Sequence, residues 1–163
     1  MLVDFEKAFD SVSWKFLYKT LNFLGFDKKF IKWIQLFNQD ITAYVIQCGF
    51  LSEEIQIKRG CRQGDPIAAY LFLICAEVLS MLIKINPKIV GIKTKTFEFK
   101  ITQFADDTTI ILDGTQQSLQ ATLNTLEVFG SYSGLKMNKE KSKIIWIGRK
   151  RFSKENRSKF RLG

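Results

Sequence analysis

The sequence predicts an α+β fold around one core. Helical and strand periodicities interleave along the chain, and two strand pairs read as hairpins. Of the 163 residues, 46% are hydrophobic, fifteen of them Phe. A chain of this length and composition buries a substantial core.

Met1–Asp4 reads as a strand ending near its carboxylate. Ser11 or Ser13 then caps a helix whose apolar positions Trp14, Leu17, Leu21 and Leu24 follow helical spacing and which Gly25 ends. A second helix is predicted over Asp27–Asn38, with Phe30, Ile31, Ile34 and Phe37 on one face. Thr42–Gln47 and Glu53–Lys58 form a hairpin around Gly49. Asp65-Pro66 opens a long helix, Asp as cap and Pro at the first turn, running to about Ile85 before Asn86-Pro87. Phe97, Phe99 and Ile101 alternate with polar residues as a half-buried strand, and Thr108–Leu112 is β-branched and apolar. Asp106-Asp107 therefore falls at the turn between two strands. A helix over Ser118–Phe129 and a last strand at Ile144–Ile147 complete the chain.

Composition excludes several chemistries. There is no His, and Cys48, Cys61 and Cys75 are too scattered for a structural zinc site. Such cysteine usage suits an intracellular, reducing setting. The acidic N-terminal segment is unlike a signal peptide. The most apolar stretch, Ile67–Ile83, contains Glu77. A mid-helix carboxylate costs about 2.5–3.5 kcal/mol in a bilayer, so a core helix is expected and no membrane partner. The net charge is +9, of which Arg149–Arg161 holds +6, seven basic residues against Glu155. A basic run of this kind is a solvated tail or a phosphate-contacting segment.

The sharpest chemical signal is a set of three carboxylates. Asp106 and Asp107 repel each other unless a cation compensates, and hard oxygen donors suit Mg²⁺. Asp4, at a strand end, adds a third. Together they suffice to hold two metal ions that activate a 3′-hydroxyl and steady a leaving pyrophosphate. Asp10 competes with Asp4 as first ligand, but lies beyond the turn and reads as a capping or surface residue.

Four blocks, DFEKAFDSV, RQGDPIAAYLF, FADDTTI and GLKMNKEKS, resemble in their order and spacing the reverse transcriptase of non-LTR (LINE-type) retrotransposons. The resemblance implies a polymerase palm over residues 1–148, an antiparallel-rich sheet with helices packed on one face. Residues 149–163 are then a basic tail or the start of a thumb, and fingers and thumb are expected to be missing. It implies template-directed transfer of dNMP to a primer 3′-OH, with Asp4, Asp106 and Asp107 as catalytic ligands of two Mg²⁺ ions, Mn²⁺ being a possible substitute. Phe5 and Phe9 fall beside the incoming dNTP, Phe9 matching the aromatic that crowds the sugar 2′ position. Gln63 and Gly64 match the loop near the nucleotide and template, and Lys141 the lysine that protonates pyrophosphate. Arg59, Arg62, Arg149, Lys150 and Arg151 are expected nucleic-acid contacts, with an RNA template and a DNA primer as partners. With so few phosphate contacts, the expected activity of the 163 residues alone is small or nil. The alternatives are a non-catalytic nucleic-acid-binding remnant, or a viral-type RNA-dependent RNA polymerase palm. Phe9 and the FADD block argue against the last.

Overall fold

The computed structural model describes residues 1–147. Strand β1 (Leu2–Val3) is followed by the one-turn helix α1 (Ala8–Ser11), which sequence periodicity alone does not reveal. Helix α2 (Trp14–Phe23) is capped by Ser13, whose Oγ accepts the Phe16 N–H at 3.4 Å. Helix α3 (Lys28–Phe37) is capped by Asp27, which accepts the Lys29 N–H at 2.7 Å. Its predicted apolar face is only half used. Ile31 and Ile34 are buried, whereas Phe37 is exposed.

Strands β2 (Thr42–Ala43), β3 (Ile46–Gln47), β4 (Phe50–Leu51) and β5 (Ile55–Gln56) make one interrupted hairpin, β2 pairing with β5 and β3 with β4. The turn residues Cys48 and Gly49 both have positive φ, 51° and 83°, as a tight two-residue hairpin turn requires. Helix α4 (Ala68–Ile85) begins a turn after Asp65-Pro66, with the Asp65 carboxylate accepting the Ile67 N–H at 3.1 Å. By length and composition α4 is apolar enough to cross a membrane. Here it is the central core helix, with Leu71, Phe72, Cys75, Ala76, Leu79 and Ile83 buried against α2 and its other neighbours. Each such buried Leu, Ile or Phe contributes about 1.5–3 kcal/mol.

Strands β6 (Ile92–Lys93) and β7 (Glu98–Phe99) pair as a ribbon, while β8 (Ile101–Phe104) and β9 (Asp107–Ile110) join β1 in an antiparallel sheet of order β1-β9-β8. The single half-buried strand expected over Phe97–Ile101 is therefore broken at Lys100. The Lys100 ammonium donates to the carbonyls of Lys84 and Asn86 at the end of α4. Phe97 and Phe99, on a two-stranded ribbon, stay 66% and 51% exposed. Helix α5 (Gln116–Ser133) is longer than periodicity suggests, because Thr115 caps it and the buried polar side chains are partnered, Ser118 Oγ by the Val90 backbone and Thr122 Oγ1 by the Ser118 carbonyl. Gly134, at φ 84°, ends it.

No strand forms at Ile144–Ile147. The last pairing is an isolated bridge from Lys143 to Leu2, and Ile145 and Ile147 are exposed. β-branched residues favour a strand only where a partner edge is available. The fold is thus mixed helix and strand with small antiparallel sheets, as expected. The arrangement puts α2, α4 and α5 in contact with one another, and α4 in contact with β8.

Candidate active site

Asp4 follows β1, the middle strand of the site. One side of β1 pairs with β9, and the other is lined by residues 136–143. Leu2 and Lys143 exchange backbone hydrogen bonds of 2.7 and 2.9 Å. Both backbone groups of Asp4 are then held. Its N–H donates to Ser142 Oγ at 3.0 Å, and its carbonyl accepts the Asn138 N–H at 2.8 Å. The chain between those two partners is looped out, and Lys141 lies in that loop with its own N–H donating to Asn138 Oδ1 at 3.2 Å. Lys141 is exposed on this turn.

The β1–β9 register is Leu2 opposite Thr109 and Val3 opposite Thr108. Continued one step past this last pair, the register would set Asp4 opposite Asp107. Cross-strand partners point to one face, so this face is the one opposite buried Val3 and Thr108. Asp107 pairs with Phe104, which leaves Ala105 and Asp106 as the two-residue turn of the β8–β9 hairpin. The paired aspartates are thus divided between turn and strand. Ala105 has φ 52°, a left-handed conformation that a side chain tolerates at some cost.

The backbone brings Asp4 and Asp107 together and sets Asp106 beside Asp107. It does not deliver a ready three-ligand cage. Among the described residues, no three His, Cys, Asp or Glu side chains are close enough to share an ion. Like charges splay apart, and exposed side chains reorient within nanoseconds, so strand register fixes only the Cα positions. The donor set itself, all carboxylate oxygens with no thiol or imidazole at the turn, fits Mg²⁺ or Mn²⁺ rather than Zn²⁺.

The remaining predicted residues fall in three places. Phe5 turns inward, with 9% exposure in the core cluster, and its backbone bridges to Met137. Its ring is a packing element, which departs from the substrate contact expected of it. Phe9 is half-buried on α1, stacked on Phe72 at 4.4 Å between ring centroids. Gln63 and Gly64 form an exposed turn, Gly64 at φ 92° with open space where a Cβ would be. Gln63 Nε2 approaches Asp10 Oδ1 at 3.5 Å. Asp10 is exposed and sits on α1, away from β1.

Arg59 and Arg62 line a 570 Å³ cleft together with Lys58, Trp14, Thr42 and Gln56. The Arg62 guanidinium also donates to the Phe37 carbonyl at 3.0 Å, closing the end of α3. Arg149, Lys150 and Arg151 lie outside the described residues.

Ser142 and Asn138, which hold the Asp4 backbone, escape a reading of the sequence. Both sit inside the GLKMNKEKS block, but a Ser and an Asn in a lysine-rich turn look like solvated loop residues. Only the pairing with β1, more than 130 positions away, gives them a role.

Comparison with known proteins agrees with the motif reading. Residues 1–160 match the family model described as reverse transcriptase (RNA-dependent DNA polymerase). The chain is 33% identical over 145 residues to the retrovirus-related Pol polyprotein from type-2 retrotransposable element R2DM of Drosophila melanogaster, covering 89% of this chain and 13% of that protein. A Pol polyprotein from type-1 retrotransposable element R2 of Popillia japonica is 30% identical over 146 residues, covering 89% of the chain and 20% of the relative. The transposon TX1 uncharacterized 149 kDa protein of Xenopus laevis is 24% identical over 90% of the chain and 11% of its own length. The chain spans about a fifth or less of these three relatives. By its matching blocks and by these similarities, the chain belongs to the reverse transcriptase family, the RNA-directed DNA polymerases, and is related to those of non-LTR retrotransposons.

Proposed function

We propose that this chain is a palm segment that transfers dNMP from a dNTP to a primer 3′-OH on an RNA template, using two-metal chemistry. The observation that carries the reading is the β1–β9 register, which, continued one residue past its last pair Val3–Thr108, would bring Asp4 toward Asp107, with Asp106 on the adjoining turn. These three carboxylates would hold two Mg²⁺ ions, which lower the pKa of the attacking hydroxyl and neutralise charge on the leaving pyrophosphate. The chain's own residues position and exclude. Ser142 and Asn138 fix the Asp4 backbone, Phe9 crowds the sugar 2′ position, and Gln63 with Gly64 borders the base and template. Lys141 stands on the loop beside Asp4 as proton donor to pyrophosphate. The stacking of Phe9 on Phe72 supports the gating role, because a braced ring does not yield to a 2′-hydroxyl.

Lys58, Arg59 and Arg62 on the cleft supply the phosphate contacts for template and primer. Even with Arg149, Lys150 and Arg151 added, these cations are few for a duplex, so the 163 residues by themselves are expected to grip primer–template weakly and extend it poorly. The cell interior is the setting we infer, and the three cysteines, all free thiols, accord with it.

Primer extension on poly(rA)/oligo(dT) with Mg²⁺ tests this reading. Weak incorporation of dTTP that Asp106→Asn abolishes is the expected result. Robust, processive extension would overturn the weak-grip part. Salt-sensitive binding that ignores Mg²⁺ and survives Asp106→Asn, with no incorporation at all, would replace the enzyme with a non-catalytic nucleic-acid-binding module.

A further inference from the structure

We infer that Trp14 and Gly60 are positioning residues for the incoming nucleotide, a clamp that locks the 60–64 loop onto α1 and so sets Gln63 and Gly64 against Phe9. The inference rests on the nucleotide-site reading of Phe9, Gln63 and Gly64 given above.

Helix α1 does not support itself. It is four residues long, begins after Lys7 at φ 45°, and has no side-chain cap at its entry. A single helical turn fixes several dihedrals for one hydrogen bond and is unfavourable alone. Besides the burial of Ala8 and Val12 and the Phe9–Phe72 stack, the loop that passes beside it holds it in place. The Gly60 N–H donates to the Val12 carbonyl at 2.8 Å, and the Cys61 N–H to the Phe9 carbonyl at 2.7 Å. Trp14 Nε1 closes the set by donating to the Gly60 carbonyl at 2.7 Å. Both backbone groups of Gly60 and the N–H of Cys61 are thus committed to the stretch from Phe9 to Trp14.

This approach is close enough to demand glycine. A Cβ on residue 60 would lie 2.9 Å from the Asp10 carbonyl oxygen and 3.1 Å from the Asp10 carbonyl carbon and Cα. Residue 60 also sits at φ 97°, where side chains are strained. These are backbone atoms, so no rotamer change relieves the contact.

The consequence reaches the site because the connecting chain is short. Gln63 is two positions on from Cys61, with only Arg62 between them, a reach of about 7 Å at most. Docking Cys61 on the Phe9 carbonyl therefore ties Gln63 to the helix that carries the gating ring. Gln63 Nε2 does approach Asp10 of α1, at 3.5 Å. With Phe72 behind the Phe9 ring and the 60–61 backbone beneath its carbonyl, ring and loop move as one unit. Loosening the loop changes both how well a nucleotide is held and how strictly its 2′ position is read.

Equilibrium binding of dTTP and of UTP to the 163-residue protein with Mg²⁺, followed by saturation-transfer NMR, tests this without requiring turnover. The variants are Phe9→Ala, Trp14→Phe and Gly60→Ala, with the melting temperature of each recorded. Trp14→Phe keeps the ring and removes only the N–H, so it remains readable if Gly60→Ala fails to fold. The expected result is that Trp14→Phe weakens dTTP binding by about three- to tenfold, the worth of one lost hydrogen bond, and narrows the preference for dTTP over UTP. Phe9→Ala narrows the same preference. If Phe9→Ala does so while Trp14→Phe keeps the wild-type affinity and preference, the clamp is only structural and the inference is overturned. If wild type shows no preference between dTTP and UTP and Phe9→Ala changes nothing, the nucleotide-site reading itself fails.

Discussion

Replacing Asp107 by Asn should stabilise the metal-free protein and destroy its response to Mg²⁺. Asp4 comes one residue after Val3, whose partner in the β1–β9 ladder is Thr108, so the register continued one step would put it opposite Asp107, and opposite residues in an antiparallel pair have Cβ atoms about 5 Å apart. Two unit charges at that distance repel by about 0.8 kcal/mol in water, and like charges directly opposite in a sheet destabilise it by about 0.2–1 kcal/mol. Asn keeps the shape and removes the charge. For a domain of this size, about 0.5–1 kcal/mol corresponds to a rise of about 1–4 °C in melting temperature. Adding Mg²⁺ at ten times its dissociation constant should stabilise wild type by about 1.4 kcal/mol and the variant by much less. The order of stability then reverses between EDTA and Mg²⁺. Thermal melts followed by circular dichroism at low ionic strength, in EDTA and then in Mg²⁺, measure both halves. Added NaCl should shrink the EDTA difference, because Asp107 is exposed to solvent and Asp4 only half-buried. A variant less stable than wild type in EDTA, or an equal Mg²⁺ response in both proteins, would refute the placement of these carboxylates at one site.

Ser142→Ala should lower stability by about 1–3 kcal/mol in urea titrations, because it leaves the Asp4 N–H without its acceptor in a partly buried position. Extension by the same variant should fall as Asp4 loses its fixed backbone, and wild-type stability together with wild-type activity would exclude that role. Gly134→Ala should cost more than about 2 kcal/mol, since residue 134 is at φ 84° and a Cβ there runs into the Ser11 carbonyl; a melt within one degree of wild type would contradict this. Of the three thiols only Cys48 is exposed, so a disulfide reagent should label one equivalent quickly and the other two only on unfolding. Burial pushes the Cys61 thiol up to about 11 from an ordinary value of 9.0, with the Asp65 charge adding to the effect. A raised folded-state value means this stabilisation is intact below pH 9 and is lost as pH climbs toward 11. Urea midpoints between pH 8 and 11 should fall accordingly, and fall less in Cys61→Ala.

Much of the local structure is legible in the residues themselves. Asp27 and Ser13 announce their helices because a short polar side chain at a helix entry has an orphan N–H to accept. The hairpin around Gly49 is legible from composition, because glycine takes the positive φ of a tight turn between strand-forming segments. Helix α1 and strand β6 were not legible, being too short to show a period, whereas β7 falls within the alternation read over Phe97–Ile101. The strand expected at Ile144–Ile147 has the right composition and no edge to join. The family resemblance implied Phe5 as a substrate contact, and strand alternation sends its ring with Val3 into the core.

The sequence by itself determined the family, through four blocks whose residues and order survive without any knowledge of contacts, and with it the identity of the three carboxylates. Tertiary structure decided how they stand to one another. Asp4 meets Asp107 only because β1 pairs with β9 across more than a hundred residues, and Asp4 is held there by Ser142 and Asn138 from the far end of the described chain. Spacing along a chain encodes helix faces and turns, which are local. Which strand lies beside which is settled by the packing of α2, α4 and α5 into a single core, a competition among all segments at once that no one of them records.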